Sequence, residues 1–313
     1  MFAPTFPVAA LPAAAAPPPP LRRGSRPCDE FDYFVVIDFE ATCERGRRIY
    51  PQEIIEFPAV LVDAATGRLV SAFRAYVRPR HHPRLSDFCR ELTGISQEDV
   101  DGGVELAEAL RRHDEWLQET GVKGGGRFAV VTWSDADCRN MLDQECRFKG
   151  IAKPAYFDRW VDLRVPFEAA FGVGVGAGRR VKLPEAVRAA GLQWTGRQHC
   201  GLDDACNTAR LLVELMRRGV PISITSSLPP APEPAQKQKQ QQQQQEPQHR
   251  HPQQLVPCGA AAVCCYCGVA SVGGLMAMPG STQRRCFYGC GNWTPASGPT
   301  CSFFLVGGVV DCQ

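Results

Sequence analysis

An α/β domain with a mixed sheet is the fold class that this sequence predicts, and three observations carry it. Three β-favouring runs come first, Tyr33 to Ile37, Glu53 to Asp63 and Ala72 to Val77, with Thr66-Gly67 in the turn between the last two, which describes an antiparallel meander. Strand-like and helix-like stretches then alternate from residue 104 to residue 218, as in a sheet whose later strands are joined by helices. Apolar residues recur at helical intervals in those connections, so each helix has a face to bury.

The first strand runs into Asp38-Phe39-Glu40, and because side chains alternate, Asp38 and Glu40 project from one face about 7 Å apart. Ser86 to Gly94 reads as a short helix ended by its glycine, and Ser96-Gln97-Glu98 opens another. Val104, Ala107, Leu110 and Leu117 mark the apolar stripe of a helix that Gly121 stops. Arg127 to Trp133 is a fourth strand, Asp137 to Phe148 a helix with Asp137 at its start, and Trp160 to Leu163 a short fifth strand. A glycine run at 172–178 breaks the next helix, which resumes at 183–190. The last helix opens after His199-Cys200-Gly201-Leu202-Asp203-Asp204 and buries Ala205, Ala209, Leu212 and Met216.

A hydrophobic fraction of 44% and a charged fraction of 22% are ordinary for globular protein, and no apolar run approaches the roughly 18 residues of a membrane span. The net charge of +2 supplies no global positive field, so a nucleic-acid partner would be held by local patches or by metal. Residues 1–28, rich in Ala and Pro, are expected to be disordered; 29–222 form the α/β domain; 223–257, with an unbroken run Gln240 to Gln245, are a linker; 258–313 are a small second module. The N-terminal stretch shares the basic, acid-free composition of organellar transit peptides, but its prolines spoil an amphipathic helix. An intracellular protein, cytoplasmic or nuclear, is expected. Of 15 cysteines, seven lie scattered between Cys28 and Cys206, while eight crowd between Cys258 and Cys312, which reads as a metal site rather than a disulfide framework. A module that short needs such a staple.

Two carboxylates on a half-buried sheet repel and lose hydration, and a divalent cation relieves both penalties. A lone Asp-x-Glu is more often a turn, so acids further along the chain decide the matter. Asp137 supplies one, and Asp204, with His199 five positions before it, supplies another. Four converging carboxylates would be neutralised by two divalent ions, which about 3.5–4 Å apart can stabilise the attacking and leaving oxygens of a phosphoryl displacement. An all-oxygen site suits Mg2+ or Mn2+. His199, neutral near pH 7, can take a proton from water at the site, although alone it would read as a surface or capping residue. Asp135 and Asp203 read as helix-start residues favoured by the dipole.

Asp38-Phe39-Glu40-Ala41-Thr42-Cys43, Glu91-Leu92-Thr93-Gly94-Ile95, Thr132-Trp133-Ser134-Asp135-Ala136-Asp137 and His199 through Arg210 together resemble the DEDDh exonucleases of the DnaQ-like group, most closely the ERI-1-like 3'-5' exoribonucleases. The resemblance covers roughly residues 31–218. It implies a ribonuclease H-like sheet, a pair of metal ions on Asp38, Glu40, Asp137 and Asp204, His199 as general base, and release of nucleoside 5'-monophosphates from single-stranded or 3'-overhang RNA. It also implies that Phe39, Ala41 and Thr42 lie beside the terminal nucleotide and that Leu92 and Ile95 pack near its base. Ala136 stands where relatives carry an aromatic residue. The alternatives are a DNA exonuclease of the same mechanism and a nucleic-acid-binding protein on an inactive exonuclease scaffold.

Cys265-Tyr266-Cys267-Gly268, Arg285-Cys286-Phe287-Tyr288-Gly289-Cys290 and Cys301-Ser302-Phe303-Phe304 resemble a GRF-type zinc finger. That resemblance implies a structural Zn2+ on Cys265, Cys267, Cys290 and Cys301. Arg284, Arg285, Phe287, Tyr288 and Trp293 would then offer a basic and aromatic surface to single-stranded nucleic acid. Leu305-Val306 replaces the tryptophan of the finger pattern.

Overall fold

Tyr33–Ile37 forms β1, and burial of its last four residues makes it a central strand. The computed structural model describes residues 30–172, 181–229, 271–277, 284–289 and 304–310. The chain divides into two compact units, Met1–Leu228 and Pro229–Gln313.

In the first unit β1 pairs antiparallel with β3 (Ile54–Asp63), which pairs antiparallel with β4 (Leu69–Tyr76). On its other side β1 is parallel to β5 (Phe128–Thr132), and β5 is parallel to β6 (Arg159–Asp162). The expected meander followed by parallel strands is therefore present. A two-residue strand, β2 (Glu40–Ala41), continues along β3, and another, β7 (Ser226–Ser227), closes the far edge antiparallel to β6. β7 lies past residue 222, so the sheet takes in residues that composition alone had placed in the linker.

Alternation of side chains divides the hydrophobic core in two. Phe34 and Val36 join Val60, Val62, Val131 and Val161 under α5 (Arg164–Phe171), α6 (Leu183–Ala189) and α7 (Gly201–Arg217). Val35 and Ile37 join Phe57, Leu61, Val130 and Trp160 under a helix whose bounds are Leu106–Glu119. Two short helices precede it, α1 (Asp87–Thr93), capped by Ser86 and ended by Gly94 at φ 75°, and α2 (Gln97–Asp101), opened by a Ser96–Asp99 capping box. Leu106–Glu119 is thus α3.

Two helices depart from expectation. In α3 the buried stripe is Leu106, Ala109, Leu110, His113, Trp116 and Leu117, and Ala107 faces solvent. Val104 bridges to Val77 in extended form, so the helix starts later and its phase rotates. The stretch after β5 begins as a π-helix, Ala136–Leu142, before tightening into α4 (Asp143–Lys149). A wide turn of this kind recurs where a helix must present a functional side chain.

The second unit contains a three-stranded antiparallel sheet with β9 (Arg284–Gly289) between β8 (Val272–Ala277) and β10 (Phe304–Val310). Arg285 and Tyr288 are on β9. The expected zinc ligands Cys265, Cys267, Cys290 and Cys301, together with Trp293, lie outside the described residues, as do the expected disordered N-terminus, the glutamine run and residues 173–180.

His113 shows how tightly the α3 face is packed. Its ring is fully buried, stacked on Phe57 with 4.8 Å between centroids and 5.4 Å from both Phe73 and Trp116, with Nδ1 3.1 Å from the Tyr156 hydroxyl. Burial, aided by Lys123, pushes its pKa down to about 3. A base held below its unfolded value stabilises the fold above that value and loses the contribution as pH falls. Wild type should therefore lose stability relative to His113→Phe by about 1.4 kcal/mol per pH unit between pH 6.5 and 3, measured by urea unfolding; parallel pH profiles would contradict this.

Candidate active site

Ile37 stands opposite Ala59 and Glu40 opposite Glu56, so β1 and β2 keep one register and are a single strand interrupted at Asp38–Phe39. Asp38 faces Pro58, which has no N–H to give. The Phe39 N–H leaves the ladder and donates to Asp137 Oδ1 at 2.9 Å. Asp38 and Glu40 share the parity of Phe34 and Val36, whose face of the sheet is covered by α7, the helix that carries Asp204.

The turn before α7 is specified residue by residue. Gly196 has φ 77°, and a Cβ there would sit 2.3 Å from the Asp203 carboxyl carbon. The Arg197 N–H donates to Asp203 Oδ2 at 2.8 Å, and the His199 N–H to Asp204 Oδ2 at 3.1 Å. His199 itself takes φ 62°, a left-handed conformation that these bonds enforce on a non-glycine residue. Asp203 is thus more than a dipole residue: it shapes the histidine loop. Arg197 crosses to the end of α1, where its guanidinium donates to the carbonyls of Glu91 and Leu92 and occupies the space that a side chain at Gly94 would need.

The donor atoms of Glu40, His199 and Asp204 all lie within 4.8 Å of one another. Glu40, Asp137 and Asp204 are buried and Asp38 is half-buried. Burial pushes the Asp38 carboxyl well up, reinforced by Asp137, Asp204, Glu40 and Glu56. Burial and then Asp204 and Glu56 raise Glu40 to about 9. Burial brings Asp137 and Asp204 to about 7, although the Phe39 and His199 N–H groups respectively oppose it. Among the described residues Asp204 Oδ1 is buried and has no hydrogen-bond partner. Oxygen donors that repel one another, one of them orphaned, fit a divalent cation. His199 is exposed, and partial desolvation, with Arg197 and Lys182 nearby, lowers its pKa, leaving a neutral imidazole at pH 7.

The residues expected to touch a nucleotide are placed differently from one another. Leu92 is half-buried beside the Arg197 contact. Phe39 and Ile95 are buried: the Phe39 ring packs edge-on against Phe57, and Ile95 lies with Ile55, Leu85 and Cys89. Ala41 is paired in β2, and Thr42 Oγ1 accepts the Glu53 N–H at 3.0 Å. Phe39 thus joins the core on the α3 face of the sheet, and Ile95 a separate cluster. Glu56 was missed by sequence reading, although its place in a hydrophobic strand marked it as an acid needing a partner. It is fully buried, paired with Arg74 at 2.8 Å, and accepts the N–H groups of Gly201 and Leu202.

Comparison with known proteins agrees with this arrangement. Human ERI1 exoribonuclease 2 is 41% identical over 219 residues, covering 64% of this chain and 31% of that protein, so the chain spans about a third of that relative's length. The Drosophila melanogaster 3'-5' exonuclease Snipper is 39% identical over 216 residues, covering 64% of this chain and 75% of that protein. The solved nuclease domain of 3'hExo, a DEDDh family member bound to rAMP, superposes with a TM-score of 0.61 at 32% identity over 64% of this chain and 99% of that one. The RNase_T exonuclease family matches residues 35–212, more than half of the sequence and every acid described above. Its core fold is therefore ribonuclease H-like, and the chain belongs to the RNase_T exonuclease family, in its DEDDh branch.

Proposed function

We propose that the protein is a divalent-metal-dependent 3'-5' exoribonuclease that releases nucleoside 5'-monophosphates. The convergence of Glu40, His199 and Asp204 within 4.8 Å, where the Asp38–Phe39 break faces the start of α7, carries the reading. Asp38, Glu40, Asp137 and Asp204 would hold Mg2+ or Mn2+. When bound there, the ions would polarise the scissile phosphate, acidify a water molecule and stabilise the leaving 3' oxygen. The chain's own groups do the rest. The Phe39 N–H fixes the Asp137 carboxylate, Asp204 fixes the backbone of His199, and the neutral imidazole accepts the proton of the attacking water. Leu92 offers the terminal base an apolar contact. The exoribonuclease relatives, and the rAMP held by the 3'hExo domain, support RNA as substrate.

We also infer that the second unit is a zinc finger on Cys265, Cys267, Cys290 and Cys301. The order of those cysteines around the β9 residues Arg285 and Tyr288 supports it. With Trp293 the finger would hold single-stranded RNA near the nuclease and raise its local concentration.

His199→Ala should lower kcat for mononucleotide release by roughly 100- to 10,000-fold. Asp38→Ala/Glu40→Ala should abolish release, as should chelation of the metal. Matched RNA and DNA oligonucleotides are the substrates to compare: cleavage of DNA alone would move the assignment to a DNA exonuclease, and cleavage of neither to a binding scaffold.

Metal dependence should also appear without substrate. Acids whose folded pKa is raised stabilise the fold at low pH and lose that contribution as pH rises, here through about 7 for Asp137 and Asp204 and about 9 for Glu40. A cation needs them ionised, so the gain in Tm from Mg2+ should grow from pH 6 to pH 9, reaching roughly 5–10 °C at a hundredfold excess over Kd. A gain independent of pH, read by differential scanning fluorimetry, would contradict the site.

For the finger, elemental analysis should find one zinc per chain, lost in Cys265→Ser/Cys290→Ser, while cleavage of short oligonucleotides is retained. Zinc retained by the double variant would dismiss the ligand set.

A further inference from the structure

Glu56 lies in the interior of β3, opposite Glu40 on one side and Tyr76 on the other, with no exposed surface. A carboxylate in the middle of a sheet is costly, and both of its oxygens are engaged. Oε1 is 2.8 Å from Arg74 Nε and accepts the Leu202 N–H at 3.3 Å; Oε2 accepts the Gly201 N–H at 3.1 Å. Glu56 is not among the residues whose donor atoms converge with His199.

Those two N–H groups are orphan donors of the α7 N-terminus, where Cys200 makes no side-chain capping bond. Glu56 supplies the cap from a neighbouring strand. The helix end is meanwhile seated on the strand break, because a Cβ on Gly201 would lie 2.7 Å from the Asp38 carbonyl oxygen and 3.0 Å from Pro58 Cγ. Arg74 is itself held in place, with its guanidinium 4.8 Å from the Tyr76 ring centroid and Nη2 4.0 Å from Cys200 Sγ.

We propose that Glu56, backed by Arg74, is the positioning residue of the active site: it clamps the start of α7 to the Asp38–Glu40 break and so sets the spacing between those acids and Asp204 and His199. The proposal rests on reading the site as a metal centre. Helix and strand approach each other across a non-covalent joint, and this buried carboxylate spans it. Groups that orient metal ligands commonly account for 10- to 100-fold in affinity or activity.

The test uses the full chain with Mn2+ as probe. Glu56→Ala removes the clamp, and Glu56→Asp keeps the charge for Arg74 but is one methylene too short to reach both N–H groups. Circular dichroism and Tm establish that each variant is folded. The expected result is Mn2+ affinity at least tenfold weaker by calorimetry, faster hydrogen exchange at the Gly201 and Leu202 amides, and a fall in kcat at saturating metal with KM for RNA within about twofold of wild type. Either variant folded and binding Mn2+ within twofold of wild type overturns the proposal, and Glu56→Asp carries the test if Glu56→Ala does not fold. Wild type that binds Mn2+ yet releases no nucleotide would instead overturn the exonuclease reading and leave the Mn2+ comparison intact.

Discussion

Mutual repulsion among buried carboxylates is the constraint on which the first unit is organised. Burial raises the pKa of Asp38, Glu40, Asp137, Asp204 and Glu56, and neighbouring carboxylates of the cluster push Asp38, Glu40 and Asp204 further. Left without compensation, the cluster would take up protons or drive the strand and helix apart. The fold answers with backbone N–H groups, each aimed at an individual oxygen: Phe39 at Asp137, His199 at Asp204, Gly201 and Leu202 at Glu56. Arg74 neutralises Glu56. What remains is the charge that divalent ions are suited to cancel.

That solution explains local irregularities that would otherwise look like defects. The strand breaks at Asp38–Phe39 so that an N–H can turn from the ladder to Asp137. The helix after β5 opens into a π turn while it carries Asp137. His199 takes a left-handed backbone conformation because its N–H is committed to Asp204. Each departure from ideal geometry stands at the site, and the hydrophobic strands and helices behind it are regular enough to hold it.

Arg197 adds a long-range tie, from the histidine loop to the last carbonyls of α1. It joins the segment that carries His199 to the segment that carries Leu92. Gly94 is needed there twice, for its positive φ at the end of α1 and for the room its missing side chain leaves to the guanidinium.

The strand meander, the order of the later elements and the five residues proposed for the site were legible in the sequence, because alternation, helical period and the spacing of Asp38, Glu40, Asp137, His199 and Asp204 are local properties of the chain. Errors arose where a partner distant in sequence decided the outcome. Val104 is drawn into a bridge with Val77, which turns Ala107 outward. Phe39 sits in a motif beside the acids, yet its ring belongs to the core against Phe57. The role of Glu56 could not be read at all and that of Asp203 only as a helix-start residue, since a carboxylate in a strand or at a helix start has no further purpose until its hydrogen-bond partners are known. Sequence determined which charges this protein brings together; only tertiary structure decided how they are held, because burial and N–H direction depend on segments that lie as far as 146 residues apart in the chain.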